Sequence, residues 1–293
     1  MRADGFTTHE ARLGSPMITS TVALMALAVS ALTAGVASAG AWTREAGTWF
    51  VKFGYDRLVT DQRYDESGRK VAYLETKSGF DDNDEFRSQA LRFYAEYGWT
   101  EDWTAIASTS FERVAAQGNG EHADHTGLSD LRLQLKRRLV ARPIVVSVTS
   151  EAKLPTGYST RKQLAIGTGA VDAGGLIAIG GSTGKLYWTG ESGYIIRGGG
   201  HADEFPFAVE AGYEVLPDVV AMAQLRGVMS ARVPVAQAGQ FDPARADSRY
   251  LTGGLALVLR ADPLDIVLGV DRMLSGKNTL AGSRLTASIW YSN

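Results

Sequence analysis

Three small groups of residues have the types and spacing that chemistry could use. Gly180-Gly181-Ser182-Thr183-Gly184 has the spacing of a G-x-S-x-G nucleophile elbow. That motif requires a turn from a strand into a helix beside a His and an acid, whereas this segment lies between two predicted strands. The adjoining Gly184-Lys185 is followed by Leu186 instead of the Ser or Thr of a phosphate-binding loop. The sequence therefore predicts no catalytic residue and a protein that is not an enzyme.

The second and third groups contain histidines. His122 and His125, with Glu121 and Asp124, could ligate a metal on an outer loop, and His201-Ala202-Asp203 is a similar case. The spacing is loose and the surrounding residues are polar. A solvated loop is the better interpretation, so the sequence predicts neither a metal site nor a cofactor.

Charged residues that alternate with apolar ones along predicted strands form a much larger set. They would share the polar face of a sheet, and we predict that they line the interior of a barrel. Two interpretations stay open, a wet and charged pathway or a lumen filled by cross-strand ion pairs. The predicted lumen-lining residues are Lys52, Arg92, Glu96, Glu112, Arg132, Lys136, Glu151, Lys153, Glu191, Glu210, Arg226, Asp271 and Arg284, with Asp56 on the same face.

The hairpin between Gly127 and Gly157 shows the element that must position these charges. Leu131, Leu133 and Leu135 fall on one side of an extended strand, and Arg132 and Lys136 fall on the other. In a water-soluble sheet the apolar face must pack against a second layer. Nearly every other segment repeats the pattern and no segment resembles a covering helix. The predicted fold is therefore all-β, a transmembrane antiparallel up-and-down barrel with an apolar outside.

The connections between the predicted strands alternate between short turns and longer loops, as in outer-membrane barrels. We count twelve strands with both termini in the periplasm. Aromatic residues at the turn-side strand ends are predicted to form a girdle at the membrane interface: Trp49, Tyr97, Trp99, Trp103, Trp290 and Tyr291. A secreted β-sandwich is the alternative, but it would not explain loop lengths that are one-sided. Short turns are predicted near residues 101, 142, 183, 217 and 262, and long loops at 60–84, 116–125, 155–167, 198–204 and 234–246.

The first 39 residues are predicted to be a signal peptide, with the barrel at 40–293. Arg2 and Arg12 precede an apolar, Ala-rich run, and Ala37-Ser38-Ala39 is a small-residue cleavage site. A transmembrane anchor is the alternative. The location predicted is the outer membrane of a Gram-negative bacterium. The predicted partners are outer-membrane lipid, the barrel assembly machinery and a small-molecule cargo, and a net charge of −2 gives no reason to expect nucleic acid.

Several short motifs resemble those of a known family. Ala41-Trp42-Thr43, the segment 127–131, the basic segment 136–139 and Glu151-Ala152-Lys153-Leu154-Pro155-Thr156-Gly157 are similar to outer-membrane barrels of the phenol-degradation meta-pathway transporter family. That family is related to the aromatic-hydrocarbon and fatty-acid transport barrels. The resemblance covers most of the mature chain in pattern and implies a hydrophobic or aromatic cargo. These motifs mark strand ends and turns, so they support the fold more than the cargo.

The sequence departs from that group at both ends of the barrel. Outer-membrane barrels usually end in an aromatic residue, whereas this chain ends Tyr291-Ser292-Asn293. Gly40 to Gly47 is too short for the N-terminal plug of fatty-acid transport barrels, so we expect any plug to come from the loop Thr60 to Asp84. The predicted function is a channel or transporter that passes small molecules by diffusion through a lumen gated by that loop. A closed structural or surface-interaction barrel is the alternative.

Overall fold

A computed structural model describes residues 40–73, 85–118, 121–160, 162, 164–231 and 248–293. The predicted signal peptide, 1–39, lies outside these residues. The fold prediction is confirmed: the chain forms a closed antiparallel barrel of twelve strands. Among the described residues, no helix has the length and apolar character needed to cross a membrane.

The barrel wall is built from long strands in chain order, together with three short strands at its outer end. The short strands are β2 (Gln62–Tyr64), β3 (Lys70–Ala72) and β15 (Thr279–Leu280). The wall strands are β1 (Trp49–Thr60), β4 (Glu85–Thr100), β5 (Trp103–Gly118), β6 (Glu121–Leu128), β7 (Leu131–Val140), β8 (Val145–Leu154), β9 (Asp172–Thr183), β10 (Leu186–Arg197), β11 (Glu204–Leu216), β12 (Val219–Ser230), β13 (Arg249–Ala261), β14 (Leu264–Lys277) and β16 (Ser283–Ser292). β6 and β7 together count as one of the twelve.

Each wall strand pairs with its neighbours in the chain, and β1 closes the barrel by pairing with β16. In that seam Val51 lies opposite Tyr291. The last residue completes it, because the backbone N–H of Trp49 donates to Oδ1 of Asn293 at 2.6 Å and the N–H of Asn293 donates to the Trp49 carbonyl at 3.2 Å. The seam closes the sheet on itself, and among the described wall strands β6 alone pairs on one side only, with β5.

The predicted alternation of faces holds along the strands. Outward side chains are large, apolar and exposed; Leu255, in the middle of β13, is 64% exposed. Inward neighbours are polar or charged, and in β7 Lys136 is 1% exposed while Leu133 is 41% exposed. A wall with an apolar outside and a polar inside places the hydrocarbon of a bilayer against the leucines.

One of the long loops was predicted wrongly. Residues 116–125 are mostly strand, because β5 runs to Gly118 and β6 begins at Glu121. β5 pairs with β6 at its outer end and with β7 at its inner end. β6 and β7 therefore form a single spanning strand, interrupted at Ser129-Asp130. This hairpin has polar side chains on its exposed face, and that composition resembles a loop.

Candidate functional site: the charged lumen

A cavity of about 480 Å³ occupies the interior of the barrel. It extends from Arg44, in the segment before β1, to Ser129 and Thr168 near the outer end. Cations and carboxylates are nearly balanced in number, and five inward-facing aromatic side chains stand among them. The lining includes Arg44, Lys52, Arg92, Arg132, Lys153, Arg197, Arg226 and Arg284, the acids Asp56, Glu96, Asp130, Glu151, Asp172, Glu204, Glu210, Asp265 and Asp271, and Phe50, Tyr94, Tyr187, Tyr250 and Trp290.

The residues predicted to line the lumen are distributed between this cavity and its closed ends. Glu112, Lys136 and Glu191 are buried but do not border the cavity. The remaining ten border it: Lys52, Arg92, Glu96, Arg132, Glu151, Lys153, Glu210, Arg226, Asp271 and Arg284. These residues were assigned to the lumen from alternation along the strands. The same alternation applies to Asp172, Arg197 and Glu204, which stand on the inward face at strand ends.

The cavity charges on β1, β4, β12, β14 and β16 are balanced. Lys52, Arg92, Arg226 and Arg284 stand there with Asp56, Glu96, Asp265 and Asp271. Asp56 Oδ2 lies 2.7 Å from Arg92 Nε and 3.7 Å from Arg284 Nε. Asp271 Oδ2 lies 2.6 Å from Arg226 Nη2. Three guanidinium groups thus share two carboxylates.

A second group of cavity charges has more carboxylates than cations. It consists of Asp130, Arg132, Glu151, Lys153, Asp172, Arg197 and Glu204. Its members lie on β7–β11, except for Asp130 in the interruption before β7. Lys153 Nζ lies 2.6 Å from Asp172 Oδ2 and 3.2 Å from Asp130 Oδ2. Arg197 pairs with Asp172 and Glu204, and Arg132 pairs with Glu151. Three cations here face four carboxylates.

Lys52 stands apart from these ion pairs. Among the described residues no carboxylate oxygen lies within 4 Å of its ammonium, which instead sits 4.9 Å from the centre of the Trp290 ring. Trp290 was predicted to belong to an aromatic girdle at the membrane interface. That prediction is wrong: its indole faces the cavity and donates to Ser288 Oγ at 2.8 Å. The reason is its position in β16, where it shares the inward face with Arg284, Thr286 and Ser288.

The periplasmic end of the lumen is occupied by the segment that precedes β1, which we call the N-terminal segment (Gly40 to Arg44). Ala41 is fully buried against Val145 and Ala178, which face inward. Lys136 Nζ donates to the Gly40 carbonyl at 2.8 Å and lies 3.4 Å from the Trp42 carbonyl. The Trp42 ring meets Tyr187 on β10 edge to face.

Arg44 ties the N-terminal segment to the other side of the barrel. Its Nε lies 2.7 Å from Glu96 Oε2 on β4, and its guanidinium lies 4.6 Å from the centre of the Phe50 ring on β1. Contacts from β1 to β10 mean that the segment crosses the lumen. The expectation that it is too short to be a plug was therefore wrong. Five residues suffice because they need only cross the barrel's width, and Gly98 admits the Glu45 backbone where a Cβ would collide.

The outer end is closed by an apolar cluster, which we call the outer cap. Leu164, Ala165 and Ile166, from the loop after β8, are buried against inward side chains such as Phe86 and Val114. His125 Nδ1 lies 2.6 Å from the Leu164 carbonyl, and Ser129 Oγ donates to the Ile166 carbonyl at 2.6 Å. These bonds fasten the loop to β6 and to the interruption after it.

The predicted gating loop contributes to the outer cap from the other side. β2 pairs with β3 and β15 to form a small sheet, and Tyr64, Tyr73 and Leu280 join the apolar cluster. Residues 74–84 of that loop lie outside the described part. The turn after β2 is held by Asp65, whose carboxylate accepts hydrogen bonds from the Ser67 hydroxyl at 2.7 Å and from two backbone N–H groups at 2.8 Å. The Ser67 hydroxyl in particular lowers the pKa of Asp65 to about 2.

The other chemical candidates take structural positions. Ser182 lies at the end of β9 in a turn between two strands, so the helix of a nucleophile elbow is missing there. His122 and His125 lie in β6, not in a loop. His125 is buried in the outer cap, which corrects the prediction of a solvated position, whereas His122 is exposed beside Asp124. Within the described ranges no group of three or more His, Cys, Asp or Glu side chains could hold a metal ion.

Comparison with known structures agrees with this architecture. The chain is similar to an outer-membrane channel from Pseudomonas putida F1, with 16% sequence identity, a TM-score of 0.67, and coverage of 86% of this chain and 97% of that one. It is also similar to the NanC porin, with 9% identity, a TM-score of 0.47, and coverage of 83% and 98%. No protein-family model matches the sequence, and a search of curated proteins finds no match. At 16% identity the likeness to the Pseudomonas putida channel establishes the fold alone: the chain folds as an outer-membrane β-barrel.

Proposed function

We propose that this protein is an outer-membrane channel that passes small molecules by diffusion through the barrel. The observation that carries the proposal is the central cavity, which holds charged side chains inside a wall whose outer face is apolar. A lumen that served only to stabilise the wall could be filled by side chains. This one retains about 480 Å³ of space.

The chemistry of the lining bears on the cargo. The resemblance to the phenol-degradation transporter family implies a hydrophobic or aromatic cargo, and Phe50, Tyr187, Tyr250 and Trp290 offer ring surfaces in the cavity. The charged groups between them favour solutes that also carry polar or ionised groups. A purely apolar solute would displace water from many charges with nothing to replace it. We infer that the cargo combines a small apolar part with polar or charged groups.

A closed barrel is the second candidate, because both ends of the lumen are occupied. The N-terminal segment crosses the periplasmic end and the outer cap fills the other. Two closures in series have a testable consequence. Removing one leaves the other as the limiting resistance, so a large conductance appears only when both are opened.

Single-channel recording in planar bilayers tests the proposal. The protein would be expressed with residues 1–39 in place and purified from outer membranes, which also tests the predicted signal peptide and the location. We expect small, steady conductance steps for the natural protein. We expect a severalfold increase when deletion of residues 40–44 is combined with Leu164→Ser and Ile166→Ser. A folded, heat-modifiable barrel without conductance in any variant would contradict the channel and favour the closed barrel.

A further inference from the structure

Four arginines lie on the outside of the barrel toward its outer end. Arg57 is on β1, Arg87 on β4, Arg113 on β5 and Arg272 on β14, and all four are exposed. Both chain neighbours of each arginine are buried inside the barrel. Because successive side chains of a strand point to opposite faces, the arginines face the lipid side of the wall. We call these four residues the arginine patch.

The strand register brings three members of the patch together around one side chain. Gln89 on β4 lies opposite Arg57 on one side and opposite Arg113 on the other, and Arg87 is the next outward residue of β4. Neighbouring strands are about 4.8 Å apart, so the Cα atoms of Arg57 and Arg113 are separated by about 10 Å. Long side chains at that spacing can reach a single anionic group between them.

Arg272 extends the patch across β16. It lies opposite Ser283, which in turn lies opposite Val59, the outward residue that follows Arg57 on β1. Ser283 is small, so no large side chain of β16 stands between Arg272 and β1. The patch therefore continues over five neighbouring strands of the wall, β14, β16, β1, β4 and β5.

Carboxylates neutralise only part of this patch. Arg87 forms an ion pair with Glu85. Asp124 on β6, one strand beyond Arg113, is the other carboxylate that the register of the described strands brings next to the patch. In the described ranges the side chains of Arg57 and Arg113 form neither an ion pair nor a hydrogen bond. These guanidinium groups are available to a ligand.

The patch lies at a height where other strands have apolar side chains. Arg57 and Arg272 are each eight residues beyond the periplasmic start of their strands. Ile196 on β10 and Met229 on β12 are ten residues beyond theirs, and both are apolar and more than half exposed. A cation that faces hydrocarbon is costly, whereas a guanidinium beside a phosphate forms two parallel, charge-assisted hydrogen bonds.

We propose that the arginine patch binds a phosphorylated lipid of the outer leaflet, with the phosphate among the guanidinium groups and the acyl chains on the wall below. The outward residues next to Arg57, Gln89 and Arg113 on the periplasmic side are Tyr55, Leu91 and Phe111, which lie side by side and are exposed. A free anion would contact the guanidinium groups alone, whereas a lipid also covers these apolar side chains. The inference goes beyond the proposed function, because it concerns the outside of the barrel and does not depend on whether the lumen conducts.

Native mass spectrometry of the detergent-solubilised protein, titrated with lipid, tests the inference. The probes are diphosphoryl lipid A, its monophosphoryl form and the zwitterionic phosphatidylcholine. We expect the protein to retain diphosphoryl lipid A at the lowest concentration of the three. Equal retention of all three lipids would overturn the proposal. Displacement of lipid A by an equal concentration of inorganic phosphate would also overturn it, in favour of a site for a free anion.

Matched variants show whether the arginine patch is the site. A basic residue at an anionic membrane surface contributes about 1 kcal/mol, so Arg57→Gln and Arg113→Gln should each weaken retention of diphosphoryl lipid A about fivefold. Arg57→Lys keeps the charge and should retain most of the binding. Arg142→Gln removes an exposed arginine from the turn between β7 and β8, at the periplasmic end, and should change nothing.

Heat-modifiability on gels establishes that each variant is folded before its lipid binding is compared. Unchanged retention when Arg57→Gln and Arg113→Gln are combined would overturn the proposal. An equal loss in Arg142→Gln would also overturn it, because binding would then follow the total charge of the protein and not the patch.

Discussion

Lys136 and Gly40 lie 96 residues apart in the chain, and the ammonium of the lysine donates a hydrogen bond of 2.8 Å to the carbonyl oxygen of the glycine inside the barrel. The lysine is 1% exposed, so its charge is satisfied largely by the backbone of the N-terminal segment. A wall residue that appears in the sequence as one more polar position of a strand thus anchors the periplasmic closure.

Replacing Lys136 by Met should loosen that closure. The change removes the hydrogen bonds to Gly40 and Trp42, each worth about 1.5–3 kcal/mol for a charged donor, while keeping the length of the side chain. We expect faster proteolysis of the N-terminal segment. When Leu164→Ser and Ile166→Ser have opened the outer end, we also expect a larger conductance in single-channel recordings. Lys185→Met, in an exposed turn, is the matched control in both measurements. Identical proteolysis and identical traces for the two lysine variants would show that Lys136 does not hold the segment.

Ile166 is expected to hold the outer cap in place, as Lys136 holds the N-terminal segment. It is fully buried in the outer cap, so Ile166→Ala should leave a void costing about 2–5 kcal/mol if the site does not collapse. The cost should fall on the cap, because the wall strands keep their own hydrogen bonds. Hydrogen exchange should therefore quicken at residues 164–166 and remain slow in β8 and β9. Equal loss of protection along the whole barrel would contradict a separable cap.

The apolar outer face predicts a penalty for charge that depends on depth. Leu255→Arg places a charge near the middle of the hydrocarbon and should cost about 2–4 kcal/mol, whereas Leu216→Arg, beside a periplasmic turn, should cost about 0–1 kcal/mol. Both leucines are more than 60% exposed, so a difference in burial cannot explain the contrast. Denaturant unfolding in lipid vesicles measures both values. A similar cost at both positions would mean that the membrane does not cross the barrel at the height of Leu255.

The turn after β2 should respond to acid. The pKa of Asp65 is lowered to about 2, chiefly by the Ser67 hydroxyl, so its ionised form is favoured in the folded turn. The stabilisation is complete above the unfolded pKa of about 4 and is lost as the pH falls from there toward 2. Protection of the amide of Arg69, which donates to Asp65, should fall over that range.

Asp65→Asn supplies the control for the acid response. Asparagine cannot ionise, so the protection of this turn in the variant should be low at neutral pH and should change little between pH 5 and pH 2. A variant that kept the same acid response as the natural protein would show that another group is responsible. Conductance measured in parallel would show whether this part of the outer cap takes part in gating.

The wall of the barrel could be predicted from sequence because period-2 alternation is local. The neighbouring residues in the sequence are enough to assign Leu133 to the outer face of the strand and Lys136 to the inner face. Because this pattern repeats without a covering helix, few folds other than a membrane barrel are compatible with it. The charged residues of the lumen followed from the same rule.

The closures of the lumen could not be predicted in the same way. Ala41, Leu164 and Ile166 belong to short segments without periodicity, and what makes them buried is the space inside a barrel formed by distant strands. Trp290 was predicted wrongly for a different reason. It was assigned to the membrane interface because it is an aromatic residue near a strand end, although the alternation of faces along its strand places it inside the barrel. His125 in the same way was assigned from its polar surroundings, while its partner, Leu164, lies 39 residues away.

The seam between β1 and β16 has a consequence for assembly. Every other junction joins strands that follow each other along the chain, whereas this one joins Trp49 to Asn293 and forms after the whole wall has been synthesised. A chain that lacks β16 would expose the hydrogen-bonding edges of β1 and β14 to lipid, where unpaired backbone groups are costly. We therefore expect that a chain interrupted before β16 does not insert as a stable barrel.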